Sequence, residues 1–251
     1  MTQPQAYCFY QEFAPEPTKL FQVDRHYLLY AAKGAMQLEA GGRRWSLPPA
    51  RAALIEAGKP IQITMPQQMT VCSVLFDPKF APLPAAQLSV FEMTPLAREL
   101  VLECRQWGPD SGPLTDFASD LFRTLANVAW RLAENPSLAA MPSAKNEMLQ
   151  NVLKLTEAQI DANPSFESIA ATVAVTPRSL SRRFAEELGM TWRQALRQMR
   201  MIRAIEALAA SDQPIAGIAM SVGYSSLSAF NAAFKDFTGE TPSNYRASFR
   251  P

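Results

Sequence analysis

Apolar positions change period along this chain. Between residues 26 and 76 they form short runs, HYLLYAA, AMQLEA, RRWSL, AALIEA, IQITM and MTVCSVLF, separated by Gly34, Gly41-Gly42, Pro48-Pro49, Gly58-Lys59-Pro60 and Pro66. Short runs bounded by glycine and proline, spaced near ten residues, predict antiparallel strands in a barrel or jelly roll. Gly41-Gly42, between Met36/Leu38 and Trp45/Leu47, predicts a two-residue hairpin. From Pro95 to Ala133 the period turns helical. Leu96, Leu100 and Cys104 form one stripe; after a Gly/Pro loop, Phe117, Leu121, Leu125, Val128 and Leu132 form another. The stretch from Asn135 to Ser143 predicts a linker, and Lys145–Ala162 a helix. The expected domains are 1–90, 91–134 (helical segment), 135–144 (linker) and 145–251.

The last hundred residues contain one pattern twice, over about 164–189 and 213–239. The first copy runs Phe166, Ile169, Ala170, Val173, Thr176-Pro177, Leu180, Phe184, Gly189. The second runs Ile215, Ile218, Ala219, Val222, Ser226, Phe230, Phe234, Gly239. The i, i+3, i+4, i+7 spacing predicts an amphipathic helix in each. Thr176 and Ser226 are N-caps, with Pro177 at a first helical position. Leu180 with Phe184, and Phe230 with Phe234, face the preceding helix. Each copy is therefore a helix-turn-helix, whose second helix enters a DNA major groove. Gly223 stands where the turn needs positive φ. Its counterpart is Ala174, so the first turn is either strained or shaped differently.

Facing Leu180 and Phe184 inward exposes Arg178, Ser181 and Arg182. The same geometry exposes Leu227, Ser228, Asn231 and Ala232 in the second copy. Arginine reads guanine edges, asparagine reads adenine, and leucine touches a thymine methyl. Isolated helix arginines are usually solvated charges; here the repeated motif favours base reading. Trp192–Ala210 predicts a connecting helix with Arg193, Arg197, Arg200 and Arg203 at spacings of three and four. At 1.5 Å per residue it spans about 28 Å, near the ~34 Å of one turn of B-DNA. Thr176, Arg193, Arg197, Ser226 and Lys235 are the phosphate-contact candidates.

The tail IAMSVGYSSLSAFNAAFKDFTGETPSNYR resembles the second helix-turn-helix of the AraC-type (AraC/XylS) bacterial transcription regulators: Ile218-Ala219, Gly223-Tyr224, Phe230 to Lys235, Gly239, Thr241-Pro242 and Tyr245-Arg246. SIAATVAVTPRSLSRRFAEELGMT resembles the first unit. Ala174 and Ala232 depart from the usual Gly and basic or polar residues. The resemblance, over about 145–251, implies a seven-helix DNA-binding domain that controls transcription, most often by activation. Tyr27 to Thr64 resembles, more loosely, the family's cupin-like effector barrel. The implied fold class is α+β: an N-terminal cupin-like β-barrel with a helical dimerisation segment, then an all-α domain with two helix-turn-helix motifs. The implied partners are double-stranded DNA, a second copy of the chain, RNA polymerase and a small-molecule effector. Effector-pocket candidates are His26, Tyr30, Met36 and Trp45, although Tyr30 and Trp45 are also ordinary core residues. The alternative is a regulator without a small ligand, constitutive or controlled by a protein partner.

Charge adds little. Residues 145–251 hold 12 Lys and Arg against 10 Asp and Glu, a net of +2, but seven arginines lie from Arg178 to Arg203. With 48% hydrophobic and 19% charged residues the chain is expected to be globular rather than disordered. Without an 18-residue apolar run or a signal-like start, a cytoplasmic protein without a membrane span is expected. Three scattered cysteines, Cys8, Cys72 and Cys104, argue against a disulfide or metal framework. A metal-dependent cupin enzyme needs several histidines. His26 is the only one, so neither catalysis nor a cofactor is expected.

Overall fold

The computed structural model describes residues 4–137 and 140–247. Residues 1–3 of the expected first domain, 138–139 of the expected linker and 248–251 of the expected DNA-binding domain lie outside the described residues. The chain divides into two compact units, Met1–Ala40 with Trp45–Leu138, and Gly41–Arg44 with Ala139–Pro251.

The first unit contains β1 (Ala6–Phe13), β2 (Glu16–Phe21), β3 (His26–Lys33), β4 (Met36–Ala40), β5 (Arg43–Leu47), β6 (Arg51–Ile55), β7 (Ile61–Met65), β8 (Met69–Phe76) and β9 (Leu88–Glu92), then α1 (Pro95–Cys104) and α2 (Asp116–Ala133). One sheet is ordered β1-β8-β3-β6-β9; the other contains β5-β4-β7-β2. Gly41 and Gly42 have φ of 57° and 74°, as the hairpin they predict requires. The six apolar runs are β3 to β8. The pattern did not single out β1, β2 and β9. In β2, Pro17 and Lys19 break the alternation; the strand pairs only with β7 at a sheet edge, where proline is tolerated.

The first sheet is covered on both faces, and strand parity divides its side chains. Ala6, Cys8, Leu28, Tyr30, Cys72, Val74 and Phe76 belong to a core shared with Ala97, Val101 and Cys104 of α1 and Phe122, Leu125 and Ala129 of α2. The intervening odd-numbered residues face the other way. The three cysteines are free and buried. Both helices start at threonine caps, where Thr94 and Thr115 accept from the N–H of Ala97 and Ala118.

His26 belongs to the helix-facing side. It is 2% exposed, with its ring edge-on to Trp130 at 6.1 Å, and its Nδ1 accepts the N–H of Ala57 at 3.2 Å. Burial holds its pKa below the usual 6.5, against the opposing pull of Glu56 and Asp77. The unfolded chain therefore takes up this proton first. The contribution of His26 to stability is full above about pH 6.5 and is lost as pH falls below it. We expect the urea midpoint of the wild type to fall between about pH 7.5 and about pH 5.5 more steeply than that of His26→Gln. Parallel slopes would exclude the histidine as the cause.

The second unit contains seven helices among the described residues: α3 (Glu147–Ala158), α4 (Phe166–Thr172), α5 (Pro177–Leu188), α6 (Trp192–Ala210), α7 (Ile215–Ser221), α8 (Leu227–Thr238) and α9 (Pro242–Ala247). The expected helix 145–162 is shorter at both ends. Asn146 caps its start by accepting from the N–H of Met148 and Leu149. It ends at Ala158, before Asn163 with its positive φ of 50° and Pro164. The long connecting helix has the predicted limits. It begins with a reciprocal capping box between Thr191 and Gln194. One apolar core joins Leu149, Val152 and Leu153 of α3, Ile169 and Ala170, Leu180 and Phe184, and Trp192, Ala195, Met199 and Ile202 of α6.

Candidate nucleic-acid interface and barrel cavity

The two repeated units have the same local geometry. Ile169 and Ala170 of α4, and Ile218 and Ala219 of α7, are buried; so are Leu180 with Phe184 and Phe230 with Phe234 on the following helices. Thr176 accepts the N–H of Ser179 at 3.2 Å, and Ser226 that of Ala229 at 3.4 Å. In the first turn the N–H of Ala174 reaches Ala171 O, and that of Val175 reaches Ala170 O, both at 3.1 Å. In the second, Gly223 reaches Met220 O and Tyr224 reaches Ala219 O, both at 2.9 Å. Ala174 has φ of 53° and Gly223 of 80°. Of the two possibilities for the first turn, the structure takes the strained one: alanine occupies the left-handed region. Gly189 and Gly239 end α5 and α8 in the same region.

Arg178, Ser181 and Arg182 on α5, and Leu227, Ser228, Asn231 and Ala232 on α8, are all exposed, as are Thr176, Ser226, Arg193, Arg197 and Lys235. Two of the cations have acidic neighbours. Arg182 lies 3.9 Å from Glu186, with both side chains well exposed, and Arg197 pairs with Asp236 of α8 at 2.5 Å. Exposed pairs of this kind contribute about 1 kcal/mol or less and exchange readily for a phosphate or base. The other two arginines of α6 serve the fold. Arg203 is half-buried between Glu157 and Glu206, at 2.7 and 2.9 Å, and Arg200 turns inward. Beside Arg182 and Arg183 lies a hollow also lined by Asn146, Leu149, Glu186 and Glu187. Glu187 accepts the N–H of Lys145 at 2.5 Å and that of Asn146 at 2.9 Å, tying the end of α5 to the start of α3.

A cavity of about 330 Å³ lies between the two sheets of the first unit. Tyr7, Phe9, Phe13, Tyr27, Leu29, Val71 and Leu75 line it from β1, β3 and β8. Phe21, Met36, Ile63 and Met65 line it from β2, β4 and β7. Its charged pair is Glu16 and Lys19, 2.6 Å apart, so the wall carries a balanced dipole rather than a free charge. Burial raises the Tyr27 phenol to about 12, so it remains a neutral hydroxyl at physiological pH. Of the four pocket candidates, Met36 lines this cavity; His26, Tyr30 and Trp45 do not. His26 and Tyr30 have the even parity that faces α1 and α2, and Trp45 is buried outside the lining. The aromatic liners of β1 and β2 were missed. The alternation of Tyr7 and Phe9 with Ala6 and Cys8 is the signal that would have found the first of them.

Residues 169–248 match a family model described as a helix-turn-helix domain. The chain is 23% identical over 244 residues to the HTH-type transcriptional regulator NimR of Escherichia coli (strain K12), covering 96% of this chain and 87% of that protein. It is 35% identical over 116 residues to the HTH-type transcriptional activator RhaR of Pectobacterium carotovorum subsp. carotovorum (strain PC1), covering 46% of this chain and 39% of RhaR. It is 29% identical over 109 residues to the arabinose operon regulatory protein of Escherichia coli (strain K12), covering 42% and 36%. Over the matched helix-turn-helix residues the chain is similar to the AraC-type regulators. The chain thus joins a two-sheet β unit to a helical unit that carries an AraC-type helix-turn-helix domain, and these relatives are regulators of transcription by name. Its match spans less than half the length of RhaR and of the arabinose regulator. Among solved structures, an AraC-type transcriptional regulator from Chromobacterium violaceum is 29% identical over 41% of this chain and 92% of that one, with a TM-score of 0.40. ToxT from Vibrio cholerae is 13% identical over 98% and 100%, with a TM-score of 0.42. No helix of the chain, among the described residues, is long and apolar enough to cross a membrane.

Proposed function

We propose that α5 and α8 enter successive major grooves on one face of double-stranded DNA. Arg178, Ser181 and Arg182 meet base edges in one groove; Leu227, Ser228 and Asn231 meet them in the next. Thr176, Arg193, Arg197, Ser226 and Lys235 bind phosphates. The observation that carries this reading is the pair of turns with matched hydrogen bonds, each aiming an exposed helix face away from a buried pair. Arg178 and Arg182 are suited to guanine; Ala232, in the position of Arg182, makes α8 the weaker reader. The test is selection of duplexes from random DNA by the purified chain, beside Arg182→Ala. The wild type should enrich a motif of two parts about one helical turn apart. Arg182→Ala should bind that motif about 5- to 150-fold more weakly, the range for one lost base contact, with one part blurred. Equal affinity and an unblurred motif would remove Arg182 from the reading face.

In this reading the regulator works in the cytoplasm as a homodimer and activates transcription through RNA polymerase. The dimer is supported by Leu96 on α1 and Phe117 on α2, which are 58% and 67% exposed. Activation is supported by the similarity to RhaR, named an activator. The cavity between the sheets takes a small, mainly apolar effector with no net charge, because five aromatic rings and an internally paired Lys19 and Glu16 line it. A fluorescent naphthalene dye added to the purified protein should bind there. Leu29→Trp, which fills the space, should weaken that binding by about tenfold or more, the equivalent of losing one or two buried apolar contacts. Unchanged dye affinity in the variant would place the dye, and the effector site, elsewhere.

A further inference from the structure

Arg200 is the one half-buried arginine of α6 whose described partners are not carboxylates. Its Nη2 donates to the backbone oxygen of Ile160 at 3.2 Å and to Asn163 Oδ1 at 3.0 Å. Both acceptors lie in the segment between α3 and α4, just ahead of the first helix-turn-helix. Its guanidinium carbon lies 5.6 Å from the ring centre of Tyr224, in the turn of the second. Gly223, beside that tyrosine, packs so closely that a Cβ there would fall 2.4 Å from Nη2 and 2.5 Å from Ile160 O. A single side chain therefore touches the central helix, the approach to the first unit and the turn of the second. A planar guanidinium can donate along its edges while stacking its face on a ring; an ammonium cannot do both.

We propose that Arg200 is a positioning residue that fixes α8 relative to α5, and so sets the half-site spacing this regulator accepts. The spacing claim rests on the two-groove reading above; the clamp itself does not. Arg200 contacts no base in this proposal. It acts through Gly223-Tyr224 and Ile160-Asn163.

The test has two arms. In the first, nitroxide labels are placed on the full chain at Ser181→Cys and Ala232→Cys, both exposed positions, and their distance distribution is measured without DNA. The three native cysteines are buried, and the chain without added cysteines serves as the labelling control. One narrow distribution is expected for the Arg200-containing chain, and a broader or shifted one for Arg200→Met, at a temperature where circular dichroism shows both folded. In the second arm, unlabelled wild type and Arg200→Met are titrated with the duplex that wild type selects from random DNA, and with versions carrying one or two extra base pairs between its parts. Wild type should prefer one spacing by about tenfold or more, the size of one charge-assisted hydrogen bond. The variant should bind all spacings within about threefold of one another. Simple destabilisation would lower binding to every duplex equally and keep the preference. An unchanged distance distribution, or an unchanged spacing preference, overturns the proposal. If wild type selects no duplex, the two-groove reading fails, and the label distances alone decide whether Arg200 is the clamp.

Discussion

Gly223→Ala should lose about 2–5 kcal/mol of stability in the helical unit, summed from a left-handed alanine at about 1–2 kcal/mol and overpacking at about 1–3 kcal/mol. The steric part rests on two contacts a Cβ would make, at 2.4 Å with Arg200 Nη2 and 2.5 Å with Ile160 O. The arginine end can swing aside, but the carbonyl is backbone and cannot. Opposite substitution of its counterpart gives the control. Ala174 already has φ of 53° in an exposed turn, so Ala174→Gly should stabilise by about 1 kcal/mol, strain relief less the added freedom of the unfolded chain. Urea titrations at constant slope measure both changes. If Gly223→Ala costs no more than strain alone, the turn has room that these contacts deny it.

Trp192→Ala should cost about 3–5 kcal/mol, the range for removing a buried tryptophan. Trp192 is the first residue of α6, 6% exposed, with its ring 5.4 Å from that of Phe166. Its indole N–H donates at 2.9 Å to the Thr156 hydroxyl, which itself donates to Val152 O at 2.8 Å. The side chain thus joins α6 to α3 and α4 at one point. Trp192→Phe keeps most of the packing and removes the indole donor. Thr156 keeps its bond to Val152, so this milder change should cost about 1–2 kcal/mol. The difference between the two variants separates volume from hydrogen bonding. Equal losses in both would mean that the indole bond, not the buried ring, holds the helices together.

The legible parts of the helical unit were those set by neighbours in the chain. Thr176, Ser226, Gly189 and Gly239 act on residues within one helical turn, and the stripes that bury Ile169, Ala170, Ile218 and Ala219 follow from 3.6 residues per turn. The hairpin glycines, Gly41 and Gly42, are local in the same sense. The fates of the four α6 arginines were not legible. Spacings of three and four did not reveal their partners: Arg203 meets Glu157 and Arg200 meets Ile160 and Asn163, roughly forty residues or more away. Helix periodicity does not specify which distant chain lies beneath a given face.

The cavity shows the same division. In β3, β8 and the first half of β1 both parities are largely apolar, because one side of the sheet packs on α1 and α2 while the other lines the cavity. A continuous apolar run marks a strand buried on both faces but does not say which parity faces a ligand. His26 and Tyr30 were chosen from the helix-facing parity, and the opposite set, Tyr7, Phe9, Tyr27 and Leu29, lines the space. By itself the sequence determined two helix-turn-helix units, their caps, the strand runs β3 to β8 and the AraC-type resemblance, because each rests on interactions between close neighbours. Only the tertiary structure decided which sheet face opens into the cavity and which arginines are held inward, because both depend on pairing between segments far apart in the chain.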